Sequence, residues 1–290
     1  MFVTILDVVI GGLLMGGIYA LIAVGLSLQY GVARVLNIAH GEFIMLGAFG
    51  TWVLYTTCGI NPLVSLVIVG PILFMIGFAL HNTLFRSLRI SSASPAAFEG
   101  SSLLASFGLL FIIQNVAILI WGSAPSGYTY LAVPVNLGGA IFAANRLVTL
   151  GFAVGIGLVF YLFLARTRMG KAIRAAAQDP ATAGLMGVNI NRVLALCFGL
   201  GALMAGFAGL LISICYSIQA TMGLEYTIIA IIVVVLGGLG SIAGSFIGGF
   251  ILGLIGSVVT YIEPGLSLAA YYFIFILLLL VRPTGILGKK

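Results

Sequence analysis

The chain consists of long apolar stretches separated by short clusters of charged residues. Two of these stretches, residues 43–85 and 226–262, contain no Asp, Glu, Lys or Arg. A helix needs about 20 apolar residues to cross a bilayer, so each stretch is long enough for two crossings. Asn61-Pro62 divides the first stretch, and the run Gly237-Gly238-Leu239-Gly240-Ser241 divides the second. Further apolar segments, which bring the total to about eight or nine predicted passes, lie at residues 8–33, 102–121, 147–165, 193–224 and 268–281.

The composition agrees with a membrane protein built from helices. Only 6% of the residues are charged and 62% are hydrophobic, whereas a soluble domain carries about 25% charged residues. Strands of a membrane barrel alternate polar and apolar side chains, but these stretches are apolar throughout. We therefore predict an all-α integral membrane protein, a polytopic helical bundle in which one or more helices are broken. Residues 1–290 are expected to form a single transmembrane domain.

The basic residues predict how this bundle is oriented. Lys and Arg accumulate on the cytoplasmic side of membrane proteins. If the N-terminus is outside and the passes alternate, the C-terminus is cytoplasmic, residues 166–192 form a cytoplasmic loop, and residues 122–145 form an outer loop. Arg146 is then the one basic residue outside. The cytoplasmic segments hold the other 11 of the 12 basic residues, which are Arg34, Arg86, Arg89, Arg166, Arg168, Lys171, Arg174, Arg192, Arg282, Lys289 and Lys290.

The cytoplasmic loop contains two predicted short helices. Arg168, Lys171 and Arg174 recur every three residues, which indicates an amphipathic helix along the inner headgroups. Asp179-Pro180 then resembles a helix start, with Asp as the N-cap and Pro at the first helical position. Gly187 is a plausible stop. The second helix, residues 180–186, is a segment that a cytoplasmic partner could bind; a merely solvated loop is the alternative.

Polar residues within the apolar stretches supply two further groups of candidates. Asn37, His40 and Glu42 precede or open the second predicted span, where Asn37 could cap the helix and all three could gate an inner mouth. A polar helix end facing cytoplasmic water is the alternative. A second group, Ser106, Gln114 and Asn115, could face a solute pathway or form hydrogen bonds between helices.

Glycine pairs one helical turn apart indicate close helix packing. Small residues at this spacing allow two backbones to approach each other. These contacts could form within the chain or against a partner permease. The pairs are Gly12/Gly16, Gly151/Gly155, Gly244/Gly248 and Gly249/Gly253.

Several classes of function are disfavoured by what the sequence lacks. It has no Gly-x-x-x-x-Gly-Lys-Ser/Thr phosphate loop, so ATP would have to bind elsewhere. No nucleophile–base pair suggests an enzyme, no carboxylate is expected at mid-span, and His40 and His81 do not form a ligand cluster with the cysteines. We predict no catalytic residue, no metal and no cofactor.

Blocks of sequence along nearly the whole chain resemble the permeases of branched-chain amino-acid ABC importers, and more narrowly the LivH-type subunit. They are Gly-Gly-Ile-Tyr-Ala-Leu (16–21), Tyr-Gly-Val-Ala-Arg-Val-Leu-Asn-Ile-Ala-His-Gly-Glu-Phe (30–43), Met-Gly-Lys-Ala-Ile-Arg-Ala (169–175), Gln-Asp-Pro-Ala-Thr-Ala-Gly-Leu-Met-Gly (178–187), Val-Val-Val-Leu-Gly-Gly-Leu-Gly-Ser (233–241) and Val-Arg-Pro-Thr-Gly-Ile-Leu-Gly (281–288).

This resemblance implies a permease subunit of an ATP-driven importer in the bacterial inner membrane. It implies a related second permease, two cytoplasmic ATPase subunits and an external solute-binding protein. It also implies that the short helix is the coupling helix, with Asp179, Pro180, Ala181, Ala183, Gly184, Leu185 and Met186 as its contact residues. Branched-chain or other hydrophobic amino acids are the expected solutes. Urea or short amides, and a stand-alone channel or secondary carrier, are the alternatives.

Overall fold

The structure is a computed structural model that describes residues 2–137, 140–282 and 284–288, most of which are helical. A π-helical turn, His81–Phe85, joins α3 to α4, and a 3-10 turn, Pro264–Leu266, precedes α12. In chain order the elements are α1 (Phe2–Ala33), α2 (His40–Cys58), α3 (Leu66–Leu80), α4 (Arg86–Ser91), α5 (Pro95–Trp121), β1 (Pro134–Leu137), β2 (Ala140–Ala143), α6 (Ala144–Arg166), α7 (Arg168–Gln178), α8 (Pro180–Leu185), α9 (Ile190–Cys215), α10 (Met222–Gly237), α11 (Ile242–Ile262) and α12 (Ser267–Val281).

Helices of membrane-spanning length confirm that this is a helical membrane protein. Among the described residues, 7 helical segments are long and apolar enough to cross a bilayer. Two other helices belong to the same bundle: α2, with 19 residues, begins with ionisable side chains, and α10 is apolar but has only 16 residues. The seven segments are Val3–Ala33, Leu66–Ser91, Pro95–Trp121, Ala144–Arg166, Ile190–Cys215, Ile242–Ile262 and Pro264–Val281.

The two predicted chain breaks are both present. Around Asn61-Pro62 the chain leaves α2 at Cys58 and enters α3 at Leu66, and the Asn61 side chain accepts a hydrogen bond from the Leu63 N–H at 2.9 Å. The glycine-rich run is a tight turn between α10 and α11, in which Gly238 and Gly240 have φ of 105° and 81°. Residues with a side chain rarely adopt such backbone angles, so glycine is required at these two positions.

A short β-hairpin corrects the all-α prediction. Strands β1 and β2 pair antiparallel in the segment between α5 and α6, with Val135 opposite Phe142. The isolated bridge of Ser126 with Ile218 ties the same segment to the chain that follows α9. This segment lies beyond the helix ends, where water can satisfy the edges of a two-stranded sheet, so the helical constraint of the bilayer does not apply.

The core of the bundle is formed by α1 and α9. Within the most apolar window of each span, 67% of α1 and 78% of α9 is buried, against 17% of α5 and 6% of the segment that contains α12. Helices α5 and α12 therefore present most of their apolar side chains to the exterior. In a membrane that exterior is lipid or another subunit.

Three of the four predicted glycine pairs make contacts within this chain. Gly12 and Gly16 of α1 face Gly249 and Gly253 of α11 so closely that a Cβ at Gly249 would overlap the backbone of Ala20. Gly244 and Gly248 approach α10 in the same way. These pairs set the distance between helices inside the subunit.

The fourth pair, Gly151/Gly155 on α6, differs because no atom of the described residues outside its own helix lies within 4 Å of a Cβ built at either position. It lines a shallow depression on the surface with Val148, Phe152 and Ile156. Of the four pairs, this one is open to a contact from outside the chain.

The difference between the internal pairs and the open pair is testable by replacing one glycine of an internal pair and one glycine of the open pair. We expect Gly249→Leu to destabilise the protein by at least about 2 kcal/mol, because overpacking a close helix contact forces the backbones apart. Gly151→Leu, the matched control, should change stability by less than about 0.5 kcal/mol. Unfolding of the purified protein in detergent measures both. Equal losses in the two variants would contradict the packing described here.

Candidate functional site

The loop between α6 and α9 forms a structured surface at one end of the bundle. We call this the basic end because the loop and the helix turns that flank it carry Arg166, Arg168, Lys171, Arg174 and Arg192. The amphipathic helix predicted from the three-residue spacing is α7: Gly170, Ile173 and Ala176 are buried and the basic residues are exposed. It packs on both core helices, α1 and α9.

The predicted second helix follows directly as α8, one residue shorter than expected. Asp179 is its N-cap and accepts hydrogen bonds from the N–H groups of Ala181 (2.9 Å) and Thr182 (3.2 Å). The Thr182 hydroxyl also donates to the Asp179 carboxylate. These bonds, led by that of the hydroxyl, lower the pKa of Asp179, so the cap is ionised at neutral pH.

The helix ends in the manner that its sequence predicts. Met186 is the C-cap, and Gly187 follows with φ of 87°. The N–H of Val188 donates to the carbonyl of Ala183 at 3.1 Å, which folds the chain back toward α9. As a result α8 is held at both ends as a rigid projection.

The exposed side of α8 is apolar. Leu185 and Met186 are 88% and 81% exposed, and they lie side by side at the tip of the loop. Ala181 and Gly184 are exposed as well, but Ala183 is only 5% exposed and packs against the chain itself. Of the predicted contact residues, Ala183 therefore supports the helix from within, while the others surround an open face.

Between α1 and α2 the chain folds back into the bundle, and we call residues 35–39 the re-entrant segment. Arg34, with a left-handed φ of 56°, reverses the direction at the end of α1. Nε2 of His40, the first residue of α2, then donates to the carbonyl of Ile22 at 3.1 Å. Ile22 lies 11 residues before the end of α1, so the His40 side chain reaches a level roughly 16 Å inside the bundle.

Side chains from two helices, α5 and α10, satisfy backbone groups of the re-entrant segment and of the start of α2. The Ile38 N–H donates to the Ser106 hydroxyl at 3.2 Å, and the Thr227 hydroxyl lies 3.0 Å from the Ile38 carbonyl. Thr227 also accepts from the Gly41 N–H at 2.8 Å. Irregular backbone at membrane depth is tolerated only where the protein supplies such partners.

Asn37 does not cap α2, so that prediction is wrong. Ala39 occupies the N-cap position and makes no side-chain capping bond. Instead, the Asn37 amide donates to Oε1 of Gln29 at 3.3 Å, and the Gln29 amide donates to the carbonyl of Phe198 at 3.3 Å. This chain of amides connects the re-entrant segment to α1 and α9.

His40 and Glu42 lie deeper than an inner mouth, and both are 0% exposed. The Glu42 carboxylate contacts Gly223 so closely that any side chain at Gly223 would collide with it. Glu42 lies in the first turn of α2, and Gly223 lies in the first turn of α10. Two helix N-termini thus meet at the carboxylate. Glu42 is therefore a buried carboxylate within the bundle, whereas the sequence analysis placed it at the inner mouth.

The three pathway candidates on α5 occupy different environments. Ser106 is buried on the re-entrant segment, Gln114 is half-buried, and Asn115 is exposed with its amide bonded to the Phe111 carbonyl of its own helix. The structure does not bring them together. Gln29 and Thr227 are polar residues that do converge, at the re-entrant segment. Both lie in apolar stretches of the sequence, so the criterion that selected Ser106, Gln114 and Asn115 could also have found them.

Known proteins resemble this chain along almost its full length. Residues 8–282 match the family described as branched-chain amino acid transport system / permease component. The permease LivH of the high-affinity branched-chain amino acid transport system of Escherichia coli K12 is 32% identical, over 99% of this chain and 97% of that protein. The corresponding permease BraD of Pseudomonas aeruginosa is 30% identical, over 98% and 96%.

A solved structure supports the fold. The chain aligns with PsaBC from Streptococcus pneumoniae in complex with Fab at a TM-score of 0.50 and 15% identity, covering 94% of this chain and 91% of that one. At this identity the similarity concerns the fold alone.

The contacts of the re-entrant segment predict a role for Thr227 in stability. Thr227→Val keeps the shape of the side chain but leaves the buried Gly41 N–H without an acceptor, so we expect a loss of about 2 kcal/mol. Thr56→Val is the matched control, since the Thr56 hydroxyl is exposed and its acceptors, the carbonyls of Trp52 and Val53, both belong to its own helix. Thermal unfolding in detergent compares them. An unchanged Thr227→Val protein would show that the hydroxyl does not hold this segment.

Proposed function

The chain belongs to the family of branched-chain amino acid transport permease components, and we propose that it is the transmembrane subunit through which an ATP-driven importer admits branched-chain or other hydrophobic amino acids. The solute is assigned from the names of two relatives that match along almost their full length. ATP hydrolysis takes place on separate subunits. The protein resides in the inner membrane as a multi-pass permease.

In the proposed orientation the N-terminus is outside and the basic end faces the cytoplasm. Four helix ends that carry basic residues lie on the same side of the bundle, which supports this orientation. The residues are Arg34, Arg166, Arg192 and Arg282. Gly31 near the end of α1 contacts Gly240, and the backbone of Ile286 pairs with Leu236 at 2.8 Å. Lys289 and Lys290 lie outside the described residues. Arg146, near the opposite end of α9, would be the basic residue that faces outward.

The proposed assembly contains a related second permease, two cytoplasmic ATPases and an external solute-binding protein. The open Gly151/Gly155 pair on α6 is a surface on which a helix of the second permease could pack closely. Gln114 and Asn115 remain candidates for the solute pathway, while the bonds of Ser106 favour the structural alternative. Asn37, His40 and Glu42 remain candidates for a gate, placed within the bundle.

The observation that carries this proposal is the exposed, capped helix α8. Leu185 and Met186 present apolar side chains to water, which a bound protein would cover. The bonds at Asp179 and Val188 fix both ends of α8 to the rest of the chain. Since α7 connects α8 to α1 and α9, a force applied by an ATPase at α8 would reach the core of the bundle.

Orientation is testable with single cysteines in a background without Cys58, Cys197 and Cys215. Ser123→Cys, in the segment after α5, should react with an impermeant maleimide added to intact cells. Gln178→Cys, at the end of α7, should react only after the membrane is opened. Both positions are on the surface of the chain, so accessibility within the protein does not distinguish them. Labelling of both from outside would exclude the proposed topology.

Docking of α8 is testable by filling the open space at Gly184. Among the described residues beyond its own helix, the nearest atom to a Cβ at Gly184 is Cγ1 of Ile190 at 3.8 Å, so Gly184→Trp should fold normally. We expect it to prevent co-purification of the ATPases and to reduce hydrolysis stimulated by the loaded binding protein roughly tenfold or more. Gly100→Trp places the same side chain at another open, exposed glycine and is the control. Normal stimulated hydrolysis in Gly184→Trp would show that α8 is not the coupling element.

A further inference from the structure

A cavity of about 400 Å³ opens at the end of the bundle opposite to the basic end. One wall is a stripe of α1 with four-residue spacing, formed by Asp7, Gly11, Met15 and Tyr19. These positions lie on one face of the helix and span roughly 18 Å from the mouth to the floor. At the floor, the hydroxyls of Tyr19 and Tyr271 are 3.4 Å apart. We call this space the outer cavity.

Opposite charges face this cavity from different helices. Arg146 comes from the first turn of α6, and Glu225 comes from the first turn of α10. Within the described part of the chain, neither side chain forms an ion pair. Both are exposed, so each remains hydrated and available to a ligand. Asp7 adds a second carboxylate at the mouth.

The rest of the lining is apolar or uncharged. Met15, Ile229 and Leu268 supply apolar walls, and Gly253 and Gly256 on α11 contribute backbone to the lining. A cavity with one cationic group, two carboxylates and an apolar wall is complementary to a small molecule that carries both charges and an apolar side chain. Its volume falls in the usual range for small-molecule sites, about 300–1,000 Å³.

Arg146 is informative because it departs from the distribution of the other basic residues. Basic residues on the outer side of a membrane protein are disfavoured by the orientation rule. A binding role accounts for a guanidinium here, since its fork of donors matches a carboxylate. Glu225 is the complementary group for an ammonium. Exposed charges bind weakly, which suits a site that a solute must enter and leave.

We propose that the outer cavity is a low-affinity site for the zwitterionic solute, in which Arg146 binds the α-carboxylate, Glu225 binds the α-ammonium, and the apolar wall contacts the side chain. The proposal rests on the proposed function, because it takes an amino acid as the solute. It assigns the site to this chain alone, at a stage after the solute has left the external binding protein.

Direct binding to the assembled importer in nanodiscs, without the external binding protein, tests this site. Leucine, titrated from roughly 1 to 50 mM, should raise the unfolding temperature, because a ligand that binds only the folded state stabilises it. 4-Methylpentanoate lacks the ammonium and 3-methylbutylamine lacks the carboxylate, so both should give little shift. A shift equal to that of leucine from either compound, or no shift with leucine, would overturn the proposal.

Substitutions then assign the two charges. Arg146→Gln and Glu225→Gln should each weaken leucine binding roughly tenfold, the usual loss for a charged hydrogen bond. Glu263→Gln removes an exposed carboxylate that does not line the outer cavity, and it should bind leucine normally. Leucine binding that is unchanged in both cavity variants would overturn the proposal. Restoration of binding in Arg146→Lys would support the need for a positive charge.

Uptake into proteoliposomes with the loaded binding protein separates this inference from the proposed function. If the proposed function fails, the unmodified importer does not take up leucine. If only the inference fails, the unmodified importer takes up leucine and the two cavity variants match it. A third outcome is that the variants lose stimulated ATP hydrolysis but still bind leucine. It would assign Arg146 and Glu225 to docking of the binding protein and overturn the solute site.

Discussion

The requirement that every buried backbone group in a membrane find a partner within the protein explains the most unusual part of this bundle. Residues 35–39 enter it without helical structure, and local backbone bonds satisfy only some of their N–H and C=O groups. Ser106 of α5 and Thr227 of α10 bond to the backbone at Ile38, and Gln29 connects Asn37 to α9. The polar residues of the apolar spans are thus placed where the helical pattern is interrupted. This is why α2 can begin within the bundle.

Glycine determines which surfaces are internal. Where α1 crosses α11, four glycines bring the two backbones together, and neither helix could accept a side chain there. On α6 the same spacing at Gly151 and Gly155 meets no neighbour within the chain. Small residues bring helices together in lipid through close packing rather than through hydrophobic burial. The open pair, together with the exposed helices α5 and α12, marks the periphery on which other subunits or lipid must lie.

The two ends of the bundle carry different chemistry and are joined by the same helix. At the basic end, α7 lies on α1 and α9 and holds the capped helix α8. At the other end, α1 forms one wall of the outer cavity from Asp7 to Tyr19. A displacement of α7 would be transmitted along α1 because a helix is stiff and α1 is tightly packed against α11 over most of its length. This arrangement provides a physical route between the proposed coupling surface and the proposed solute site.

The sequence by itself determined the helical membrane class, the chain breaks at Asn61-Pro62 and in the run 237–241, the amphipathic helix α7 and the cap of α8. Each of these depends on local patterns: apolar length, turn residues and the spacing of charges. Only the tertiary structure decided which glycine pairs are internal, that the chain re-enters before α2, and that Glu42 is buried next to Gly223. It also decided that Arg146 and Glu225, 79 positions apart in the printed sequence, face one cavity. Such contacts depend on how distant helices pack, and periodicity along a single chain contains no information about which helices become neighbours.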